Sequence, residues 1–276
     1  MQTHESTMAG ARGVTLHTTI WTAEAGEPIA DVVIVHGYAE HSGRYRPVAE
    51  TLTAAGFRVA TLDLRGHGRS TGVRIGDIDD FALVVDDVAA FVDSVRSERP
   101  LFVYGHSMGG LVAVRLAERD DSRLAGLVVA SASLAAAESI PAPLVKVANV
   151  LGKIAPGLRT ITLDGNAISR VPEVRAEYDA DPLNFRGKIT AGTGRQLNMS
   201  MAAAHADAAR ISCPVLILHG DGDQLTAVSG SKAFAGEVSS SDSTLRIWPG
   251  AFHELHHEPE RDEVLSTIVD WIRERV

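Results

Sequence analysis

Gly105-His106-Ser107-Met108-Gly109 follows the apolar run Leu101-Phe102-Val103-Tyr104 and precedes the helix-like stretch Leu111–Glu118. The order is strand, sharp turn, helix, with a serine at the apex. Glycines two residues on either side of a serine let the backbone bend without Cβ clashes. Such a bend pushes the Ser107 hydroxyl out beyond the sheet edge. The next amide then sits at a helix N-terminus, aimed at the space where negative charge would form. A G-x-S-x-G string alone is common, and its bland reading is a glycine-rich βα turn. Between a buried strand and a helix it reads as a serine nucleophile.

Working outward, apolar runs alternate with helical patterns. Val14–Trp21 alternates and predicts an edge strand; Asp31–Val35 and Phe57–Leu62 predict buried strands separated by a helix over Pro47–Ala55. Asp79–Val95 places Phe81, Val84, Val85, Val88, Phe91, Val92 and Val95 on one helical face. Strand Leu101–Tyr104, the helix after Ser107 and strand Leu124–Ala130 follow. This β-α-β rhythm predicts an α/β fold, a mainly parallel sheet with helices on both faces.

After Ser133 the rhythm breaks, and it resumes with strand Pro214–Leu218, helix Val228–Gly236, strand Thr244–Trp248 and helix Glu260–Arg275. The interruption is read as an insertion over residues 134–207, a mostly helical cap, on a core formed by 1–133 and 208–276. It holds helices expected over Pro143–Ile154, with Leu144, Val147, Leu151 and Ile154 on one face, and near Gly194–His205. That stripe suits packing on the core as well as contact with substrate or lipid.

The bulk numbers narrow the function classes. A chain of 276 residues, 45% hydrophobic and 22% charged, fits one large α/β domain with an insertion. A formal charge of −9 argues against a nucleic-acid partner and against holding anionic lipid by electrostatics; the densest basic stretch, Arg65–Arg74, is broken by glycines. The single cysteine, Cys213, permits no intrachain disulfide and reads as a small buried residue. No apolar signal segment opens the chain and no run is long enough to span a membrane, so a cytoplasmic protein, peripheral at a membrane at most, is expected. The oligomeric state does not follow from the sequence.

A serine hydroxyl needs a base to take its proton and a carboxylate to orient that base. In doubly wound sheets of this kind the chain order is Ser, acid, His, on successive strand ends. His219-Gly220-Asp221-Gly222-Asp223 follows the strand Pro214–Leu218, and Gly250-Ala251-Phe252-His253 follows the strand Thr244–Trp248. Asp221 and Asp223 compete for the acid role, with Asp223 favoured because Asp221 lies close to the strand end and suits a turn contact. His253, His256 and His257 compete for the base, with His253 favoured as the residue just beyond the strand. His256 and His257 read otherwise as an exposed, solvated pair near a helix start, and His219 as a satisfied histidine at a strand end. The oxyanion would be held by two backbone N–H groups, those of Met108 and of Tyr38 in the loop Val35-His36-Gly37-Tyr38. No cofactor is called for. The histidines lack metal-ligand spacing, so no metal is expected.

At this point the chain resembles the monoacylglycerol lipase family of α/β-hydrolases. The resemblance rests on His36-Gly37-Tyr38-Ala39-Glu40-His41-Ser42-Gly43-Arg44-Tyr45, Asp63-Leu64-Arg65-Gly66-His67-Gly68-Arg69-Ser70, Gly105–Gly110, Tyr178-Asp179-Ala180-Asp181-Pro182-Leu183, Gly220–Leu225 and Gly250–Glu258. It implies an eight-stranded α/β-hydrolase sheet and hydrolysis of a monoacylglycerol to fatty acid and glycerol. It also implies a cap whose amphipathic helix makes transient contact with a lipid surface. Ser107, Asp223 and His253 would be the catalytic set, with the Tyr38 and Met108 amides as the oxyanion hole. Glu40, Arg44 and Tyr178 would meet the glycerol end; for Glu40 and Arg44 a loop-stabilising ion pair is an equal reading. Asp63 and His67 would shape the neighbouring loop. Two positions depart from the family pattern: Tyr38 is bulkier than the small residue often found there, and Ala39 replaces a glycine. Other readings keep the site and change the substrate: carboxylesters, lysophospholipids, diacylglycerols, thioesters, or perhydrolysis. Epoxide hydrolysis and dehalogenation fit poorly, because those relatives carry an aspartate in place of the serine. A non-catalytic ligand-binding module is a further reading, and the intact Ser, Asp and His set argues against it.

Overall fold

The computed structural model describes residues 1–137 and 142–276. Eight strands form one sheet: β1 (Gln2–Ala9), β2 (Thr15–Thr22), β3 (Ala30–Val35), β4 (Phe57–Leu62), β5 (Leu101–His106), β6 (Gly126–Ala130), β7 (Val215–Gly220) and β8 (Ser243–Trp248), in the spatial order β1-β2-β4-β3-β5-β6-β7-β8. β1 and β2 pair antiparallel, as do β2 and β4, and every other pairing is parallel. The helices are α1 (Arg46–Ala54), α2 (Phe81–Val95), α3 (Met108–Ala117), α4 (Ala142–Ile154), α5 (Pro172–Ala180), α6 (Ala191–Asp207), α7 (Val228–Glu237) and α8 (Arg261–Arg273).

The central strands are buried on both faces, as their unbroken apolar runs require. In β3, Val33 and Val35 enter a core shared with α2 and α3, while Val32 and Ile34 enter a second core shared with α1 and α8. Two cores, one on each side of the sheet, follow from the alternation of side chains along each strand. Helix α2 buries all seven of the apolar residues read onto one face. Burying a Val or Phe side chain stabilises by roughly 1.5–3 kcal/mol. The helix starts at Phe81 because the Asp80 side chain accepts the N–H of Ala82 at 3.0 Å, a cap that ends the extended segment before it.

One expectation needs correction. The strand expected at the sheet edge, now β2, is internal, because β1 lies outside it with continuous pairing from Gln2 opposite Thr22 to Ala9 opposite Thr15. β1 carries no apolar face, so it has no hydrophobic period to read; backbone pairing holds it. At the head of the basic stretch Arg65–Arg74, Arg65 is buried, with Nε donating to Asp87 at 2.7 Å and Nη2 to the carbonyl of Ala11 at 2.9 Å.

Between β6 and β7 the chain forms α4, α5 and α6. α5 had no counterpart in the sequence reading, since its residues lack an apolar stripe and only Tyr178 is buried. α4 packs along α6, and α6 packs on α3. Of the stripe read on α4, Leu151 is buried more deeply than Val147 and Ile154, which are exposed; the Leu144 side chain lies outside the described residues. Among the described residues no helix is long and apolar enough to cross a membrane.

Candidate active site

Ser107 stands at the end of β5 with φ 53° and ψ −121°, a backbone conformation that side chains other than glycine rarely adopt. The glycines around it are required by contact. A Cβ on Gly105 would stand 2.3 Å from the carbonyl oxygen of Gly109, and one on Gly109 would stand 2.1 Å from the carbonyl oxygen of Val35. The turn therefore packs against β3 and the start of α3 with no room for a methyl group, and the strain is held by that packing.

The loops after β7 and β8 bring the next two residues together. His253 Nδ1 lies 2.7 Å from Asp223 Oδ2. The Asp223 carboxylate also accepts the N–H groups of Leu225 and Thr226 on Oδ1, at 2.8 and 3.0 Å, and the Thr226 hydroxyl on Oδ2 at 2.8 Å. His219 Nε2 approaches the same Oδ2 at 3.2 Å. Burial would raise the Asp223 carboxyl, but the two imidazoles and their hydrogen bonds outweigh it and hold the group far below the ordinary carboxylate range. Asp223 is therefore ionised, and a neutral His253 carries its proton on Nδ1 and leaves Nε2 as the acceptor. Asp221 turns elsewhere and accepts the N–H of Gly250, the turn contact its position suggested.

Ser107 and His253 line one cavity of about 390 Å³. Among the described residues the Ser107 hydroxyl has Ser133 Oγ as its hydrogen-bonding neighbour, at 3.5 Å, and makes no hydrogen bond to His253. At that length the contact is weak. Tyr38 and Met108 line the same cavity, and among the described residues neither backbone N–H donates elsewhere. The apolar end of the cavity is formed by Val145, Leu151, Leu197 and Met201 from α4 and α6; the polar end by Glu40, His106, Tyr178 and Glu254.

Beneath the polar end lies a network the sequence reading missed in part. Arg44 donates to both oxygens of Glu254, at 2.5 and 2.8 Å, and to Glu40 Oε2 at 2.9 Å. Its guanidinium also lies 5.0 Å from the Tyr178 ring centroid. Arg44 does not line the cavity, whereas Glu40 and Tyr178 do; the loop-stabilising ion pair is present and extends to a third residue. Glu40 Oε1 accepts the N–H of Gly37 at 2.6 Å and the hydroxyl of Tyr45 at 2.8 Å, and meets His106 Nδ1 at 3.4 Å. His106 Nε2 in turn faces the carbonyl of His253 at 3.2 Å. Glu40 thus ties the loop carrying Tyr38 to the residue before Ser107 and, through His106, to the loop carrying His253. Burial opposes ionisation of Glu40, but His106 and Arg44 hold it well below its ordinary value. Against the same opposition, Arg44 and His257 lower Glu254.

His256 and His257 are not a solvated pair. His256 is buried, stacked on Tyr45 with centroids 4.9 Å apart, and neither ring nitrogen has a hydrogen-bond partner among the described residues. His257 Nδ1 bonds Glu254 Oε2 at 2.8 Å. The short turn Leu255–His257 folds them back under the site before α8 begins, a consequence of chain path that composition does not show. Glu254, His256 and His257 bring ligand-type atoms within 4.8 Å of one another, but Arg44 already engages both Glu254 oxygens, so a cation would have to displace it. Cys213 is buried, and burial pushes its thiol up to about 12, so it is inert at neutral pH. His219 is satisfied by Ser231 and the carbonyl of Thr226, and sequence gave no hint that it also faces the acid.

The sheet order, the strained serine turn between β5 and α3 and the paired Asp223 and His253 at the next strand ends define a serine hydrolase of the α/β-hydrolase fold. The family described as "Serine aminopeptidase, S33" matches residues 26–260. A monoacylglycerol lipase of Mycolicibacterium smegmatis is 40% identical over 271 residues, covering 97% of this chain and 96% of the relative. A monoglyceride lipase of Homo sapiens is 34% identical over 274 residues, covering 97% and 90%. The crystal structure of Paleococcus ferrophilus monoacylglycerol lipase superposes with a TM-score of 0.83 at 35% identity, covering 93% of this chain and 99% of that one. The chain belongs to the monoacylglycerol lipase family of α/β-hydrolases.

Proposed function

We propose that this protein hydrolyses monoacylglycerols to fatty acid and glycerol through an acyl-enzyme, with Ser107 as nucleophile, His253 as general base and Asp223 as its orienting acid. The supporting observation is one cavity that Ser107 and His253 line together with apolar side chains of α4 and α6 and with the polar Glu40, His106, Tyr178 and Glu254. The apolar side chains suit a single acyl chain and the polar ones a polyol. The Ser107 hydroxyl turns from Ser133 toward His253 Nε2, gives up its proton and attacks the ester carbonyl. The N–H groups of Tyr38 and Met108 hold the oxyanion. His253, kept in the Nδ1–H tautomer by Asp223, then protonates the departing glycerol oxygen. Water cleaves the acyl-enzyme by the same steps in reverse.

Glu40 and Tyr178 offer an acceptor and a hydroxyl to the glycerol end, and Arg44 fixes Glu40 from behind. Residues 134–207 act as a cap on the core 1–133 and 208–276. The exposed Val147, Val150 and Ile154 of α4, spaced by three and four residues, share a helical face suited to transient contact with a lipid surface.

Ser107→Ala should fold as the parent does, fail to react with a fluorophosphonate probe and release no fatty acid from 1-oleoylglycerol. Turnover at the parent rate by that variant would remove Ser107 from the mechanism. Comparing 1-oleoylglycerol with a lysophosphatidylcholine and short p-nitrophenyl esters tests the substrate class. A clear preference for either of the latter would overturn the monoacylglycerol reading.

A further inference from the structure

A second space of about 150 Å³ lies against the main cavity. The two share Tyr38, Leu163, Gly165 and Tyr178 as lining residues, so they stand on opposite sides of a common wall. The second space is lined otherwise by Ala39, Thr162, Phe185 and Gly187 and bordered by the exposed Asp179 and Arg186. We propose that the Tyr38 ring, backed by Phe185, is a partition that limits the leaving group to a glycerol bearing no second acyl chain, making these two residues the determinants of one-chain over two-chain glyceride selectivity. The inference rests on the hydrolase reading above.

The wall is fixed in place. The Tyr38 hydroxyl donates to the carbonyl of Gly76 at 2.7 Å. Its ring meets the Phe185 ring edge-on at 6.1 Å and the His67 ring at 5.3 Å. The Ala39 carbonyl accepts both the Phe185 N–H and the Tyr178 hydroxyl, each at 3.1 Å. Ala39 presents that carbonyl from φ 66°, the left-handed region. Gly76 completes the seat, since a Cβ there would stand 2.4 Å from the Phe185 ring. The backbone after β3, the loop before α2 and the segment after α5 are thus locked around one aromatic ring.

The consequence is chemical. Cleavage of a diacylglycerol makes a leaving group that still carries an acyl chain on the alcohol side. The wall reaches that side through Tyr178, which also lines the polar end. With the Tyr38 ring in place a second chain meets the wall; without it, the two spaces join and the chain has a path past Phe185 to the surface beside Arg186. A substitution at Tyr38 keeps the backbone N–H that would serve the oxyanion, and both substrates use that N–H. The ratio of the two activities therefore reports the partition and not the oxyanion contact.

The experiment compares kcat/KM for 1,2-dioctanoylglycerol with that for 1-octanoylglycerol in the parent, Tyr38→Ala, Tyr38→Phe and Phe185→Ala, with thermal unfolding to establish that each is folded. Tyr38→Ala should raise the diacyl-to-monoacyl ratio by about tenfold or more, the scale on which relieving a steric contact in a pocket acts. Phe185→Ala, which lies outside the catalytic set, should raise it in the same direction, and Tyr38→Phe should leave it at the parent value. An unchanged ratio in folded Tyr38→Ala overturns the inference, as does a Tyr38→Phe variant that shifts as far as the alanine. If Tyr38→Ala fails to fold, an unchanged ratio in Phe185→Ala overturns it equally. A parent enzyme that cleaves neither ester sinks the monoacylglycerol reading itself, a failure separable from that of the partition.

Discussion

His253 Nδ1 lies 2.7 Å from Asp223 Oδ2, and that oxygen is approached from its other side by His219 Nε2 at 3.2 Å. The carboxylate is buried beside two imidazoles and fixed by two backbone N–H groups. Asp223→Asn removes the charge that orients His253 while preserving most of the shape. Its kcat should fall by about 10⁴-fold, the size of the same change in a serine protease triad. Steady-state assays beside circular dichroism would check this; a folded variant within tenfold of the parent would place the acid elsewhere.

Arg44 neutralises two buried carboxylates at once. Arg44→Ala leaves Glu40 and Glu254 facing each other without a cation, and breaking a buried pair in this way costs about 3–5 kcal/mol. The melting temperature should drop by roughly 2–4 °C for each kcal/mol lost. Arg44→Lys should recover only part, since an ammonium cannot make the paired bonds to Glu254. Denaturant titration of the variants gives the measurement, and a loss under about 1 kcal/mol in Arg44→Ala would mean that water screens the network.

Acid should unfold the protein from an unusually high pH. Burial lowers the pKa of His36, of His67 to about 4, and of His256 well below its ordinary value. The unfolded chain therefore binds these protons first, near pH 6.5. The contribution of these three histidines is full above that pH and is lost as pH falls toward about 4, against a smaller opposite contribution from His106 and Glu118, whose pKa values the fold raises. Asp223, Glu40 and Glu254, all held low in the fold, add a further loss as pH drops below the ordinary carboxylate range. Melting temperatures from pH 8 to pH 4 would show the slope; a flat profile between pH 6.5 and 5 contradicts it.

His256 offers a sharper version of that test. Both of its nitrogens are buried without a partner among the described residues, and its ring already stacks on Tyr45. His256→Phe keeps a ring for the stack and removes the unsatisfied groups. It should stabilise the protein by about 1–3 kcal/mol and flatten part of the acid slope. Destabilisation of that size would show instead that an ordered water satisfies the imidazole.

The α4 face provides a last prediction. Val150 and Ile154 are 61% and 73% exposed. Glutamate at both positions should weaken co-sedimentation with phosphatidylcholine vesicles and slow hydrolysis of vesicle-borne monoacylglycerol. Turnover of a dissolved short-chain ester should be retained. Equal losses on both substrates would tie this face to the site and not to a lipid surface.

Much of this molecule is local and therefore readable from sequence. The buried strands and the face of α2 follow from periodicity, because side-chain direction repeats every two residues in a strand and every 3.6 in a helix. The serine turn is equally local: Gly105 and Gly109 are needed because neighbouring backbone leaves no space for a Cβ. Strand order then confined the acid and the base to the loops after β7 and β8. Local pattern could not reveal β1, whose only partly buried residue is Met8 and which exists through pairing with β2. Nor could it show that His256 folds beneath the site, that Glu254 reaches Arg44 from 210 residues away, or that Tyr38 leans on Phe185. Such contacts join segments distant in the chain, and their geometry is set by how the whole sheet and its helices pack. The sequence by itself determined the chemistry on offer and the strand ends that carry it; the tertiary structure alone decided which charges meet, which histidines lose water and which ring divides the cavity.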